Sequence, residues 1–231
     1  MIEAEKIQLS LKGKAVLKGL SFRIEAGRVT AFIGKSGAGK TSLLKCLGGL
    51  VEYEGALRIA GKDLQALTKR ERIASIGFVF QQHHLFPHMT VLKNVSHPLC
   101  TALKLPCEEA EQRAKEVLSW LGLGAFHLAY PSELSGGQQQ RVAIARALAL
   151  RPKVLLFDEP SASLDPENTN NFISIVKDLL KEGIAVVLSS HDRILLQGLL
   201  DRVYFIEEGQ IIEMHEGVMG EKSKTKEFFY E

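Results

Sequence analysis

The sequence predicts an α/β protein with a mostly parallel sheet, an antiparallel β subdomain at the N-terminus and an inserted helical subdomain. Apolar runs typical of buried parallel strands end at Ile33 and Phe157. Helical patterns separate these runs, and strand–helix alternation is typical of a parallel sheet. Between residues 85 and 149 the composition favours helix, whereas short strand-like runs and turns alternate before residue 33.

Local patterns place the individual elements. Strands are predicted at 7–11, 20–24, 29–33, 76–80, 153–157 and 184–190, with a strand pair at 203–212 that turns at Gly209. Helices are predicted at 41–47, 106–122 and 171–183, with a further long helix that Ser135 caps and Pro152 ends. In the helix at 106–122, a proline and acidic residues open the first turn and Gly122 follows the last. These elements predict one domain over 1–231, with the core and β subdomain in 1–84 and 150–231 and the helical subdomain in 85–149.

Composition limits the classes of function. The chain has 231 residues, a formal net charge of +2, 45% hydrophobic and 24% charged residues, as in an ordinary soluble domain. This charge balance gives no argument for a nucleic-acid partner. No basic and apolar leader opens the sequence, and no apolar run reaches the ~18 residues of a membrane span. Any role at a membrane is therefore expected to depend on a partner, and the three cysteines are expected to be reduced.

The glycine-rich stretch GKSGAGKT matches the phosphate-binding pattern G-x-x-x-x-G-K-[ST] between an apolar strand and a helix. Glycines let backbone N–H groups surround phosphates, and the helix N-terminus adds its dipole. Lys40 is expected to reach the β- and γ-phosphates and Thr41 to ligate Mg²⁺. The predicted nucleotide-binding residues here are Gly34, Lys35, Ser36, Gly37, Ala38, Gly39, Lys40, Thr41 and Ser42. The pattern predicts a P-loop NTPase core.

The stretch VLLFDEP is an apolar strand that ends in two carboxylates. By itself an Asp-Glu pair after a strand is more often a helix cap or a turn. With a phosphate loop upstream, Asp158 is predicted to hold Mg²⁺ and Glu159 to deprotonate the attacking water.

Two polar residues follow other predicted strands. His191 lies at the end of the next predicted strand after Glu159. Because the carboxyl ends of parallel strands meet at one crevice, His191 is predicted to join the catalytic groups. Gln81 follows the strand at 76–80, where it is either an ordinary edge residue or a Mg²⁺ ligand that senses the γ-phosphate. The rest of the set favours the second interpretation. The other six histidines show no metal-ligand spacing.

These motifs, in this order, resemble ABC-type ATPases over nearly the whole chain. The stretch LSGGQQQR (134–141) is the most specific of them. The resemblance implies that Gln81 is the Q-loop residue and His191 the switch histidine. It also implies a signature at Ser135, Gly136, Gly137 and Gln138 and a D-loop at Ser163, Leu164 and Asp165. In that family two such domains dimerise head to tail, and each ATP lies between the P-loop of one and the signature helix of the other.

A finer resemblance links the chain to the ATPase subunits of polar amino-acid importers. It rests on FQQHHLFPHMTVLKNV, which follows the last predicted strand before the helical segment, and on KSKTKEFF near the C-terminus. The family usually stacks adenine on an aromatic residue about five positions before a valine that corresponds to Val16. Here that position is Leu11, so the expected adenine contact is apolar but not aromatic. The resemblance implies that both Leu11 and Val16 bind ATP.

The resemblance implies a peripheral ATPase on the cytoplasmic face of the cell membrane, with ATP and Mg²⁺, that powers an amino-acid importer. Its expected partners are a second copy of the chain on ATP binding, integral membrane permease subunits and, for an importer, a substrate-binding protein, with no nucleic acid. One alternative is a soluble ABC-type ATPase that acts on ribosomes or DNA, although these usually fuse two halves or insert coiled coils. Exporters, lipid-transport systems and cell-division complexes are further alternatives. A P-loop kinase or GTPase is disfavoured by the signature and by the lack of N-K-x-D.

Overall fold

The computed structural model describes residues 1–162 and 165–217, which form two β-sheets flanked by helices. The strands are β1 (Ile2–Leu11), β2 (Lys14–Ile24), β3 (Val29–Ile33), β4 (Glu54–Ile59), β5 (Lys62–Asp63), β6 (Ile76–Val79), β7 (Val154–Asp158), β8 (Ala185–Ser189), β9 (Arg202–Glu207) and β10 (Gln210–Glu216). The helices are α1 (Lys40–Leu47), α2 (Lys69–Ser75), α3 (Val91–Thr101), α4 (Cys107–Trp120), α5 (Gly136–Leu148), α6 (Pro166–Lys181) and α7 (Arg193–Leu199). None of these helices is both long and apolar enough to cross a bilayer.

The larger sheet has the strand order β10-β9-β3-β8-β7-β6. All its pairings are parallel except that of the edge strand β10 with β9. Every residue of β3, β7 and β8 is buried, which explains why these strands are almost uniformly apolar. Because they are parallel, their carboxyl ends and the loops that follow them meet at one edge of the sheet.

Each face of this sheet has its own core. Alternate residues of the central strands, such as Phe157 and Leu188, pack with α3, α4, α5, α6 and α7. The intervening residues, such as Leu156 and Val187, pack with α1 and with the second, antiparallel sheet, whose order is β2-β1-β4-β5. This alternation is the period-two pattern of strands that are covered on both faces. The predicted fold class, including the N-terminal antiparallel sheet and the inserted helices, is confirmed.

The helices α3, α4 and α5 lie between β6 and β7 in the chain and pack on one another. In α4, Ala110, Ala114 and Leu118 are buried, so one apolar face of this helix packs into the core. The numerical boundaries given above for the core and the helical subdomain stay a prediction.

Several predicted bounds were wrong. The helix expected at 171–183 begins at Pro166, because the Asp165 side chain caps it by accepting from the Asn168 N–H at 2.8 Å. The predicted Ser135 cap is confirmed, and the helix that follows it ends at Leu148, before Pro152. The strands β4 and β5 and the helices α2 and α7 were not predicted from the sequence. None of the seven residues of α2 is buried, so the sequence of this helix has no apolar face from which it could be predicted. Its only local signal is the capping box formed by Thr68 and Glu71.

Gly77 in β6 is expected to tolerate no side chain. A Cβ there would lie 2.6 Å from Cδ2 of Leu155 and 3.1 Å from Cβ of Ala147, and Leu155 is fully buried. We expect Gly77→Ala to lower the free energy of unfolding by about 1–3 kcal/mol through overpacking, measured by urea denaturation. Gly136→Ala is the matched control, since a Cβ at Gly136 meets nothing within 4 Å. A Gly77→Ala midpoint equal to that of the control would contradict the expectation.

Candidate active site

The phosphate loop requires glycine at two positions for steric reasons. Gly34 has φ 146°, and a Cβ on it would collide with the carbonyl oxygen of Ile206 in β9. Gly39 has φ 108° and immediately precedes α1, where a Cβ would lie 2.9 Å from Cδ2 of Leu17. The loop thus lies tightly between β9 and β2, with the N-terminus of α1 behind it.

Lys40, the first residue of α1, has a buried ammonium group that backbone oxygens hold in place. Its Nζ donates to the carbonyl oxygen of Gly34 at 2.7 Å and to that of Lys35 at 3.3 Å. Burial lowers the pKa of Lys40, while the carboxylates of Glu159 and Asp158 act in the opposite direction. A desolvated cation beside a glycine-rich turn is a site for a polyanion such as a nucleotide phosphate.

Asp158 is the last residue of β7 and joins three elements. Its Oδ1 accepts a hydrogen bond from the Thr41 hydroxyl at 2.9 Å and another from the Ser189 hydroxyl at 2.8 Å. Carboxylate and hydroxyl oxygens are the ligands that Mg²⁺ takes beside substrate phosphates, so this pair fits the ion. Gln81, in contrast, is exposed after β6, and no hydrogen bond joins its side chain to Thr41 or Asp158.

Glu159 lies directly beyond β7 in the left-handed backbone region, with φ 49°. Its backbone N–H donates to the carbonyl and hydroxyl oxygens of Ser189, each at 3.1 Å, so the end of β8 holds this unusual conformation. Its Oε1 lies 2.9 Å from Nε2 of His191 and 3.9 Å from Nζ of Lys40.

Burial raises the pKa of Glu159, and the neighbouring His191 and Lys40 oppose that rise in part. A carboxylate with a raised pKa is a stronger base than an exposed one, which suits it to take a proton from water. The structure therefore brings Lys40, Thr41, Asp158, Glu159 and His191 together at the carboxyl edge of the sheet. At this edge His191 joins the catalytic groups, as its position after a parallel strand predicted.

The signature stretch begins α5. Ser135 and Gln138 form a capping box: the Ser135 hydroxyl accepts from the Gln138 N–H at 3.3 Å, and Oε1 of Gln138 accepts from the Ser135 N–H at 2.8 Å. Ser135 and Gly136 are exposed, so the first turn of the helix faces outward. Their hydrogen bonds among the described residues do not include any to the phosphate loop of the same chain.

Gly137 lies against the start of α6. A Cβ at Gly137 would collide with the side-chain amide of Asn168, which itself donates to Oδ2 of Asp165 at 2.9 Å. The signature turn and the predicted D-loop are thereby neighbours in the fold, although Ser163 and Leu164 lie outside the described residues. The KSKTKEFF stretch also lies outside them.

Leu11 and Val16, which are predicted to bind ATP, lie in the hairpin of β1 and β2. Leu11 is 46% exposed, and Val16 packs beside the phosphate loop, its carbonyl oxygen 3.2 Å from the position of a Cβ on Gly39. An exposed leucine here supplies an apolar surface without a ring to stack on.

Leu11→Tyr is expected to tighten ATP binding. A stacked ring contributes about 0.5–1.5 kcal/mol beyond its buried area, so the Kd for ATP is expected to fall about two- to tenfold in a titration calorimetry experiment. Leu50→Tyr is the matched control, because Leu50 is a 53% exposed leucine outside the hairpin. An affinity equal to that of the control would show that another residue supports the base.

Sequence reasoning missed three residues that shape this site. Ser189 bonds both Asp158 and Glu159, Asn168 packs on Gly137, and Nε2 of Gln140 in α5 donates to the carbonyl oxygen of Pro160 at 2.6 Å. Only Ser189 had a signal in the sequence, since it precedes His191 at the end of an apolar run.

Comparison with known proteins gives one consistent family. The family model described as ABC transporter matches residues 17–162. The chain is 39% identical to the arginine transport ATP-binding protein ArtM of Bacillus subtilis (strain 168), with 100% of this chain and 99% of the relative covered. It is 41% identical to the glutamine transport ATP-binding protein GlnQ of Escherichia coli (strain K12), with 92% and 90% covered.

Among solved structures, the fold matches the dimeric post-hydrolysis state of the ATP-binding cassette MJ0796 bound to ADP and Pi. The TM-score is 0.83 at 32% identity, with 94% of this chain and 98% of the other covered. The sequence, the sheet order and the site thus agree. The chain belongs to the ABC transporter family, and it is an ATP-binding and ATP-hydrolysing subunit of that family.

Proposed function

We propose that this chain powers an importer of polar amino acids as a head-to-tail dimer bound to separate permease chains at the cytoplasmic face of the membrane. The resemblance in the sequence and the relatives support this proposal, since their names specify transport of arginine, glutamine and, in Bacillus subtilis TcyC at 40% identity, L-cystine. The observation that carries the ATPase part is the meeting of Glu159, His191 and Lys40 within 4 Å beside the phosphate loop.

In the proposed reaction, the phosphate loop and Lys40 hold the β- and γ-phosphates of ATP. Thr41 and Asp158, with Gln81, would hold a Mg²⁺ ion, which neutralises phosphate charge when bound. A water molecule attacks the γ-phosphorus, the bond from that phosphorus to the bridging β-γ oxygen breaks, and Glu159 takes the proton of the water. The products are ADP and phosphate. His191, 2.9 Å from Glu159, orients its carboxylate.

The second half of each site would come from the other copy of the chain. The outward-facing first turn of α5 leaves the backbone N–H groups of Gly136 and Gly137 without partners in their own helix, which suits an anion. Within residues 1–162 and 165–217, no hydrogen bond joins this turn to the phosphate loop of its own chain, so we assign the turn to the γ-phosphate bound by the partner. Asp165, beside Gly137 through Asn168, would lie at the same dimer contact.

The segment 83–95 would face the permease. Asn94, in the first turn of α3, fixes the loop that precedes this helix. Its Oδ1 accepts from the Phe86 N–H at 2.8 Å, and its Nδ2 donates to the carbonyl oxygen of Met89 at 3.0 Å. Arg146 of α5 holds the other end of the segment by donating to the carbonyl oxygens of His83 at 2.6 Å and His84 at 2.7 Å. The helix that begins with the signature is therefore bonded directly to this segment, which gives nucleotide-driven motion a route to the permease.

The test is recovery of the tagged chain from membranes of its native host. We expect a multispanning permease to copurify, and the complex in proteoliposomes to hydrolyse ATP faster with a binding protein loaded with a polar amino acid. Phe86 is 38% exposed in the proposed contact, so Phe86→Ser is expected to reduce capture of the permease while leaving the ATPase activity of the free chain unchanged.

Met214→Ser is the matched control, since Met214 is 48% exposed on β10 at the opposite edge of the sheet from β6. Copurification with an exporter, a lipid-transport complex or a cell-division complex would contradict amino-acid import while leaving the ATPase assignment intact. Equal capture by both variants would contradict the proposed contact.

A further inference from the structure

Two of the three cysteines lie side by side on the surface of the helices. Cys100 is in the last turn of α3 and Cys107 is the first residue of α4, and their Sγ atoms are 3.8 Å apart. Cys107 is exposed and Cys100 is half-buried, whereas Cys46 is fully buried in α1. Neither cysteine is part of the nucleotide-binding site or of the proposed permease contact.

The surroundings of the pair favour a disulfide over a metal site. A stable zinc site needs about four ligands, and the described residues contain no group of three or more His, Cys, Asp or Glu side chains placed to hold a metal ion. The two Sγ atoms, 3.8 Å apart, must approach to the bonding distance of about 2.05 Å for a disulfide to form. The short connection between α3 and α4, closed by a hydrogen bond from the Leu105 N–H to the Leu99 carbonyl oxygen at 3.1 Å, keeps them close.

We propose that Cys100 and Cys107 are a reversible modification site that forms an intramolecular disulfide when the chain meets a small-molecule disulfide. The exposed Cys107 thiolate attacks the disulfide RSSR, so a mixed disulfide forms and one RS⁻ leaves. The Cys100 thiolate then attacks the Cys107 sulfur and releases the second RS⁻. In sum, two protein thiols are oxidised to one disulfide and RSSR is reduced to two RSH, with the two thiol protons passing to the leaving groups.

The bond would fix α3 to α4. These helices are already joined on this side by the ion pair of Lys93 and Glu111, with Nζ and Oε1 2.6 Å apart. Both side chains of that ion pair are partly exposed, so water screens the pair and it constrains the two helices only weakly. A covalent bond removes that freedom and constrains the unfolded chain as well. The oxidised protein is therefore expected to be more stable than the reduced protein.

The experiment treats the intact, reduced protein with oxidised glutathione and follows the products by mass spectrometry. We expect a loss of two hydrogens, a peptide cross-link between Cys100 and Cys107, an unmodified Cys46, and full reversal by a dithiol reductant. Cys46 is expected to be inert because it is buried and burial raises its pKa to about 12. The Tm is expected to rise by a few degrees on oxidation.

Cys107→Ser is the matched variant, because it keeps the size and polarity of the side chain but removes one thiol. It is expected to give no cross-link and no rise in Tm under the same treatment. Wild-type protein that ends with separate glutathione adducts on Cys100 and Cys107, or with disulfides between chains, would overturn the proposal. A cross-linked protein with the Tm of the reduced form would overturn the structural consequence.

Discussion

Glu159→Gln is expected to bind ATP and to lose its hydrolysis. The amide is nearly isosteric with the carboxylate but cannot accept the proton of the attacking water. General-base catalysis contributes about 10²–10⁴-fold, so the turnover of ATP is expected to fall by about this factor. The steady-state release of phosphate measures the rate, and equilibrium binding of ATP measures the retained affinity.

The same variant is expected to accumulate as a dimer in ATP, because the nucleotide that closes the dimer is no longer consumed. Size-exclusion chromatography with and without ATP detects this shift. Glu182→Gln is the matched control, since Glu182 is an exposed carboxylate just after α6 and the same chemical change there is expected to leave the rate as it was. Hydrolysis by Glu159→Gln within a few-fold of this control would disprove the role of Glu159 as the base.

The parts of the site that the sequence predicted best are those fixed by a single local rule. Gly34, Gly39 and Lys40 lie within one short segment, and the positive φ angles of 146° at Gly34 and 108° at Gly39 favour glycine there. The position of His191 was predicted from topology, because the carboxyl ends of parallel strands lie at one edge of the sheet. The 2.9 Å contact of His191 with Glu159 follows from that topology.

What the sequence did not reveal depends on contacts between distant segments. Nothing in the residues around Asn168 indicates that its amide packs on Gly137, because that contact exists only after α5 and α6 meet. Ser189 acts through both its hydroxyl and its carbonyl group, and a backbone carbonyl has no signature in a sequence. Gln81 is the opposite case, since the order of the motifs selects it, while its side chain is exposed and makes no hydrogen bond to Thr41 or Asp158. Its role stays a prediction.

We propose that each ATP is held between two chains, and paired inactive variants test this arrangement. Lys40→Met removes the ammonium group from the phosphate loop but keeps an apolar stem of similar length. Gly136→Asp places a negative charge at the signature turn, where a Cβ meets nothing within 4 Å, so the capping box of Ser135 and Gln138 is retained. Each homodimer is expected to be inactive, because every site contains one defect.

A mixed dimer concentrates both defects in one site and leaves the other site intact. With random pairing of equal amounts, about half of the dimers are mixed and about a quarter of all sites are intact. Gly136→Ala, which adds no charge, is the control that shows whether the change of glycine alone inactivates the turn.

The most direct measurement is therefore the ATPase rate of the two inactive preparations after mixing. We expect recovery toward about a quarter of the wild-type rate at equal amounts, falling when either variant is in excess. A rate that stays at the level of the separate variants at every mixing ratio, with mixed dimers shown to form, would instead show that the signature serves the nucleotide of its own chain.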